Sequence, residues 1–508
     1  MISIENERDP SVLRQVALLQ ESEITRLLAC NRSLVEENAR LKGIDPATMQ
    51  PEIDRLRELL DVRNRALFAP SSEKRPSVAE EAATNRAAAP APPRKGHGPT
   101  PQMALPVVIN TIELAETERT CEACGGVLVP MGEQVEESEE ISVVERQFVR
   151  TMHRRQKYRC ACNGCVVTAP GPDKLIPGGR YSIDFAVEVI TGKYLDHLPL
   201  ERQARIMNRE GLEVTSQALW DQLWSANQHL GATCAAIGEL VRSAAVLHAD
   251  ETRWPVLGKE GAVEPTKQWW MWNLTSAEAT YYEIHPTRSA KAARSLIAEW
   301  RGVAMADGYG AYESLARAAP GVTIAHCWAH VRRKFIDLEN SFPNEVADIL
   351  SRIGELYAVE REISAMSELG EAERLELRRT LRSTRSRETV RNILEWAGTQ
   401  RALPQSGLGR AIAYMTNLWT GLTRFLDDPR IPLDNNPAER SLRGPVIGRK
   451  NHYGSRSRRG TEVAAMFYTL METAKLQGVD PKAYLRAALI AAIRTPGTAT
   501  LPSAIRPR

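Results

Sequence analysis

Residues 244 to 326 constrain the fold more than any other stretch. Two apolar runs there each close on a carboxylate: Val246-Leu-His-Ala-Asp250 and Val303-Ala-Met-Ala-Asp307. Between them, Trp269-Trp-Met-Trp272 and Thr280-Tyr-Tyr-Glu-Ile284 flank a polar turn and predict a hairpin. A helix from about Arg288 to Trp300, a short helix after Asp307 and the strand Val322-Thr-Ile-Ala325 complete the series. The order strand, strand, strand, helix, strand, helix, strand predicts an α/β layer on a mixed sheet. Adjacent strand ends in such a sheet bring two carboxylates within a few ångströms of each other.

Asp307 is followed by Gly308-Tyr-Gly310, a loop that lets a substrate backbone come close. Hard oxygen ligands at this spacing suit Mg²⁺ or Mn²⁺. Two such ions, about 3.5 to 4 Å apart, activate a water and stabilise the leaving oxygen of a phosphodiester. A third acid is needed, and Glu439 in Asp434-Asn-Asn-Pro-Ala-Glu-Arg440 is the best placed. Asn436 would cap a helix with Pro437 at its first position, leaving Glu439 in the first turn. The competing readings are a capping-box role for Glu439 and Asp434 as the third acid. From Arg440 to Arg459 there are seven Arg or Lys and no acid, a phosphate-binding pattern that includes Arg440, Arg443, Arg449 and Lys450. His326 and His330 are four apart and would share a helix face, as zinc ligands do. Alternatively, Trp328, His330, Arg333 and Lys334 pack or touch DNA beside the acids.

A chain of 508 residues is expected to hold several domains. At 43% hydrophobic and 25% charged it has the composition of a globular protein, which excludes wholesale disorder. No run approaches the ~18 to 20 apolar residues of a membrane span. The start, MISIENERDP, carries no signal-peptide pattern, so a cytoplasmic, nucleoid-associated protein is expected. The net charge of +3 requires any nucleic-acid surface to be local.

Five of the eight cysteines fall between Cys121 and Cys165, which without an export signal favours metal over disulfides. Cys121-Glu-Ala-Cys124 precedes Gly125-Gly126, and Cys162-Asn-Gly-Cys165 repeats its spacing. One structural zinc on Cys121, Cys124, Cys162 and Cys165 is expected, with Cys160 as rival to Cys162. Unliganded buried thiols are the alternative, and Cys30, Cys234 and Cys327 read as small hydrophobes. Arg150, Arg154, Arg155 and Lys157 enter the second knuckle on a strand suited to phosphate. The other reading is a solvated face balanced by the acids between Glu133 and Glu140.

Near the start, Leu13, Gln20, Leu27, Leu34 and Leu41 take heptad d positions, with Ala17, Ile24, Asn31 and Asn38 at a. That pattern fits a two-stranded coiled coil, or else an amphipathic helix packed on its own protein. Leu200–Glu210, the turn residue Gly211, and Thr215-Ser216 as caps of a second helix follow the helix-turn-helix layout. A plain helical hairpin is the competing reading. Arg378, Arg379, Arg382, Arg385 and Arg387 either guide DNA or form a solvated face. The expected division is a helical coiled-coil region at 1–68, a Pro/Ala-rich linker at 69–110 and a zinc-binding module at 111–178. A helix-turn-helix-like region at 179–243 precedes a catalytic core at 244–460 with a helical insertion at about 336–430, and a C-terminal helical segment and tail at 461–508.

Several segments together are specific. They are Leu67-Phe-Ala-Pro-Ser-Ser-Glu-Lys74, the cysteine knuckles, Asp250-Glu-Thr252, Asp307-Gly-Tyr-Gly-Ala-Tyr312, Cys327-Trp-Ala-His-Val-Arg-Arg-Lys-Phe335, Asn435-Asn-Pro-Ala-Glu-Arg440 and Lys475-Leu-Gln-Gly-Val-Asp-Pro-Lys-Ala-Tyr-Leu485. In these the chain resembles the large transposases of the insertion-sequence 66 family, a branch of the DDE transposases, from the heptad to about Ile493. The resemblance implies a multidomain α/β plus α protein with an RNase H-like mixed-sheet core whose acidic triad is Asp250, Asp307 and Glu439. It implies two Mg²⁺ or Mn²⁺ per site, and cutting at transposon ends with joining to target DNA. The expected partners are DNA, a second copy through the coiled coil, and helper proteins. Cys160 departs from the family pattern and leaves the choice of zinc ligands open. Two other functions compete: an inactive, transposase-derived DNA-binding regulator, and a small-molecule metallohydrolase using His248, Asp250, His326 and His330.

Overall fold

A computed structural model describes Gly125, Val127 and residues 147–159, 166–257, 268–297 and 299–505. The heptad, the Pro/Ala linker and Cys121, Cys124, Cys160, Cys162 and Cys165 lie outside the described residues. The chain divides into one unit of residues 1–67 and 148–508 and another of 68–147. Apart from Gly125, Val127 and Gln147, every described residue belongs to the first unit.

That unit opens on a small antiparallel pair, β1 (Lys157–Arg159) and β2 (Val166–Thr168). Four helices follow: α1 (Ile183–Tyr194), α2 (Leu200–Arg209), α3 (Ser216–His229) and α4 (Gly231–Arg242). Gly211 takes φ +85° after α2, a conformation glycine adopts without a Cβ penalty. Thr215 caps α3, its hydroxyl accepting from Ala218 N at 3.2 Å. The buried residues Leu219, Gln222, Leu223 and Ala226 make α3 a packing helix, and its exposed positions Gln217, Asp221 and Gln228 carry no positive charge.

The five-stranded sheet has the order β5-β4-β3-β6-β7. Its strands are β3 (Val246–Trp254), β4 (Trp269–Thr275), β5 (Thr280–His285), β6 (Gly302–Ala306) and β7 (Val322–His326). β3, β4 and β5 pair antiparallel, whereas β6 and β7 run parallel to β3. α5 (Ala290–Ile297) and α6 (Gly310–Ala318) make the crossovers. The apolar runs located all five strands, but β3 does not stop at Asp250. Its pairing with β4 continues to Trp254↔Trp269 through Glu251 and Arg253, whose polarity hid the extension.

β5 would be an open edge, exposing backbone groups that invite pairing with another chain. α14 (Arg458–Leu476) covers it. Thr473 Oγ1 accepts from Thr280 N at 3.2 Å and donates to Thr280 O at 3.0 Å, and Thr469 Oγ1 accepts from Tyr282 N at 3.1 Å. α15 (Pro481–Arg494) packs on α14 and α1. The sheet and these helices share one hydrophobic core.

Between β7 and α14 the chain first forms α7 (Trp328–Ile336), then an insertion of α8 (Pro343–Ala365), α9 (Glu371–Leu381), a π-helical turn at Arg382–Ser386, α10 (Arg387–Thr399), α11 (Gly407–Asn417) and α12 (Trp419–Thr423). α13 (Asn436–His452) returns to the sheet. The insertion and α7 share a second core with the sheet, around Met305, Trp328, Phe335, Ile353, Ile393, Trp396 and Phe425. Each arginine that would guide DNA or form a solvated face meets a carboxylate, with Arg382 buried and Arg379, Arg385 and Arg387 exposed. Arg378 and Arg382 share Glu360, Arg379 pairs with Glu376, Arg385 with Glu362, and Arg387 with Asp427.

Arg382 is 1% exposed and donates to Glu360 and to the carbonyls of Phe425 and Ile431, the latter two at 2.9 Å. It ties the π-helical turn to the segment leading back toward α13. Removing one partner of a buried pair leaves an uncompensated charge. Arg382→Ala should therefore lose about 3 kcal/mol or more in urea unfolding, whereas Arg379→Ala, an exposed pair, should change stability by less than about 1 kcal/mol.

Candidate active site

Asp250 and Asp307 are brought together by register. The parallel ladder between β3 and β6 ends at His248↔Met305. Two residues further along each chain lie Asp250 and Asp307, so the pairing, continued, sets them side by side. Their carboxylates are oriented locally. Glu251 N donates to Asp250 Oδ1 at 2.8 Å, and Tyr309 N donates to Asp307 Oδ1 at 3.0 Å. The glycine at 308 answers to packing as well as to substrate approach, since a Cβ there would sit 2.7 Å from Leu418 Cδ1 and 3.1 Å from Tyr414.

Glu439 arrives on α13, whose start is fastened to the sheet by a fully buried Asn435. Asn435 Nδ2 donates to Ala249 O at 2.8 Å, so its Oδ1 is the acceptor facing His248 Nδ1 at 3.1 Å. Burial pulls His248 down to about 4, so the ring is neutral at pH 7 and carries its proton on Nδ1. Asn435 N donates to Cys327 Sγ at 3.2 Å, which joins the same point to the end of β7. Asn273 Nδ2 donates to Ser441 Oγ at 2.6 Å and Tyr282 Oη donates to Ser441 O at 2.6 Å, fixing the next turn of α13 on β4 and β5.

The helix therefore begins one residue earlier than the sequence suggested, with Asn436 inside it and Pro437 at the second position. Asp434 Oδ1 accepts from Asn436 N at 3.1 Å and does the capping. Glu439 makes no capping box. Its carboxylate faces α7, with Oε1 3.6 Å from His330 Nε2 and Oε2 3.8 Å from Arg333. Glu439 Oε1 and His330 Nδ1 are buried and take no hydrogen bond among the described residues. Among those residues no three His, Cys, Asp or Glu side chains already stand at metal-ligating spacing.

Crowding of acids shows in Asp250. Burial, then the neighbouring Glu251, and then Asp307 and Glu439 push its carboxyl up to about 8, against the opposing backbone hydrogen bond. Burial pulls His330 below its ordinary value while Glu439 pulls it up. The two histidines do not share a helix face: His326 ends β7 with Nε2 3.1 Å from Glu313 Oε1, and His330 lies on α7. With His248 held by Asn435, the histidines of the metallohydrolase reading do not converge.

Comparison with known proteins identifies the family. A family model described as the transposase IS66 family matches residues 178–463, and one described as the zinc-finger binding domain of transposase IS66 matches residues 118–163. The chain belongs to the IS66 family of transposases. Its relatives include three uncharacterized proteins of Sinorhizobium fredii (strain NBRC 101917 / NGR234). The protein y4jD is 33% identical over 72% of this chain and 73% of its own length, and y4qI is 31% identical over 91% and 88%. The third, y4hP, is 29% identical over 73% and 70%.

In this IS66 transposase chain the expected basic contacts differ in availability. Arg440, Arg443 and Lys450 are exposed along α13, and Lys334 is exposed on α7. Arg150, Arg154, Arg155 and Lys157 are exposed, with Arg155 Nε donating to Ala169 O at 2.7 Å. Arg449 instead turns onto β3, donating to Thr252 Oγ1 at 2.8 Å and to the carbonyl of Arg253. The sequence reasoning passed over Asn435, Glu251, Arg288 and Tyr312. The signal was present in Asn435-Asn-Pro and Asp250-Glu-Thr252, where a polar residue directly adjoins a candidate acid or its helix.

Asp250 carries a stability signature. Its folded pKa of about 8 lies above the ordinary 3.8, so the folded state binds more protons between those values. Stability of the metal-free protein from this group is present below about pH 4 and is lost as pH rises toward 8. In EDTA, Asp250→Asn should melt higher than wild type at pH 8, and the gap should shrink as the pH falls to 5. An Asp250→Asn curve parallel to wild type across that range contradicts the burial argument. Asn435→Ala should lose on the order of 3 kcal/mol in urea unfolding, because it strands the His248 N–H and the Ala249 carbonyl.

Proposed function

We infer that this transposase cuts DNA at the ends of its insertion sequence and joins those ends to target DNA, with Asp250, Asp307 and Glu439 as the acidic triad of an RNase H-like core. The observation that carries the reading is the β3–β6 register, which puts Asp250 beside Asp307 while Asn435 holds the first turn of α13 against β3. The sheet supports it: an antiparallel meander of three strands continued by two parallel ones, β5-β4-β3-β6-β7, is the order expected of an RNase H-like core.

The donor chemistry fits divalent cations. All three candidate ligands are carboxylates, Asp250 is crowded by other acids, and Glu439 Oε1 has no hydrogen-bond partner among the described residues. Asp250, Asp307 and Glu439 would hold two Mg²⁺ or Mn²⁺, which when bound supply Lewis acidity toward the phosphodiester and its nucleophile. The chain's own groups do the rest. The amides of Glu251 and Tyr309 aim two carboxylates. Glu439 has to turn from His330 and Arg333 toward the aspartates, a side-chain movement within a fixed helix. Arg440, Arg443 and Lys450 along α13 and Lys334 on α7 are exposed and offer phosphate contacts, which position DNA without reading its sequence. The N-terminal heptad would join two chains, so that two DNA ends are held in one complex.

The intact acids favour an enzyme over an inactive regulator, and metal-dependent cleavage of an end-containing duplex separates the two. Asp250→Asn and Glu439→Gln should each lose nearly all cleavage while DNA binding persists, because binding rests on the basic surfaces. Near-normal cleavage by Glu439→Gln would transfer the third-acid role to Asp434. Near-normal cleavage by Asp250→Asn would reject the mechanism.

The zinc-finger match takes in Cys121, Cys124, Cys160 and Cys162 and ends before Cys165. The reading is one structural zinc per chain on Cys121, Cys124, Cys162 and Cys165, with Cys160 as the rival ligand. Elemental analysis should find about one zinc per chain, lost in Cys121→Ser together with DNA affinity, since metal binding in such a module is folding energy. Retention of zinc by Cys162→Ser and its loss in Cys160→Ser would exchange those two ligands.

A further inference from the structure

Glu251 follows Asp250 on β3 and so points to the opposite face of the sheet. Its side chain is fully buried, and a buried carboxylate has to be compensated. Arg288 does this from one side, with Nε donating to Oε1 at 2.6 Å and Nη2 beside the same oxygen. Tyr312 does it from the other, its hydroxyl donating to Oε2 at 2.5 Å. The Arg288 guanidinium also lies 3.6 Å from the Tyr309 ring centroid and 4.9 Å from that of Trp270. Tyr309 Oη donates to the Arg288 carbonyl at 2.7 Å, which fixes the backbone too.

More is fixed here than neutralising Glu251 requires. The Arg288 side chain keeps 31% of its surface exposed, and its Nη1 takes no hydrogen bond among the described residues. Tyr309, which stacks on it, is also the residue whose amide holds Asp307. Asp307 acts electrostatically on both Arg288 and Glu251. A guanidinium already stacked and ion-paired loses little further freedom when it binds an anion.

We propose that Arg288 is a phosphate-contacting residue of the active site, a fixed cation that takes a backbone phosphodiester of the DNA strand passing Asp307. Glu251, Tyr309, Tyr312 and Trp270 are its positioning residues. The proposal rests on the DNA-cleaving reading above and adds a residue that reading does not contain.

The test uses full-length, zinc-loaded protein and an end-containing duplex, with two readouts: the salt dependence of binding and single-turnover cleavage. Arg288→Ala strands a buried carboxylate and risks misfolding, so the informative variant is the neutral pair Glu251→Gln/Arg288→Gln, with its thermal midpoint as the folding control. Loss of one phosphate contact lowers the slope of log K against log salt by about 1. The pair should show that loss together with cleavage slower by about 100-fold. Glu251→Gln alone, which keeps the cation, should retain the slope. A folded pair variant with the wild-type slope and wild-type affinity would overturn the proposal, leaving Arg288 as a counter-ion for Glu251 only. Asp250→Asn separates the two readings. It should abolish cleavage at an unchanged slope, and wild-type protein that binds but never cleaves would sink the catalytic reading while the slope still judges Arg288.

Discussion

The site depends on one buried amide. Asn435 bonds with all of its polar groups inside the protein: to Ala249 and His248 on β3, and through its backbone N–H to Cys327 after β7. A buried polar side chain costs free energy unless it is satisfied, and once satisfied it admits one geometry. Here that geometry sets the first turn of α13 against the strand bearing Asp250. A long helical insertion separates Glu439 from the two aspartates, and Asn435 returns it to them together with Ser441, held by Asn273 and Tyr282.

The rest of the fold serves that closure. The insertion packs around a second hydrophobic core that takes in Met305 and Ala325, so it is seated against β6 and β7. Arg382 binds its π-helical turn to the carbonyls of Phe425 and Ile431, just before the chain re-enters the site at Leu433 and Asp434. Trp328 N donates to Leu433 O at 2.9 Å, and its indole donates to Leu422 O at 2.9 Å, so α7 and the returning strand of chain are joined too. On the far edge, hydroxyls of α14 satisfy β5 and remove a surface that could pair with another sheet.

Electrostatics explains why the polar residues around the acids are so thoroughly engaged. Asp250, Glu251, Asp307 and Glu439 crowd one end of the sheet, and burial raises the cost of charge on Asp250 and Glu251. The fold answers with backbone amides on the aspartates, with His330 and Arg333 near Glu439, and with Arg288 and Tyr312 on Glu251. Carboxylates held this close, each with a fixed environment, suit the binding of hard cations and of the phosphates those cations attract.

By itself, the sequence located the five strands of the large sheet, their order along the chain and the carboxylates Asp250 and Asp307 that follow two apolar runs, because an apolar run and a carboxylate at its end are local signals. It also determined the insertion as helical and the turn at Gly211. The true end of β3, the start of α13 and the inward turn of Arg449 were decided by tertiary structure. Glu251 and Arg253 look like loop residues until β4 pairs with them, and Asn435 stands unremarked beside Asn436, the residue that reads as the cap, until Ala249 and His248 claim its side chain. The arginines of the insertion read alike in the chain, yet Arg382 is buried and Arg379 is exposed, because only the packed helices decide which of them faces Glu360. Local patterns record what a residue prefers; which partner satisfies a buried polar group is a contact between distant segments, and it exists only once the chain has folded.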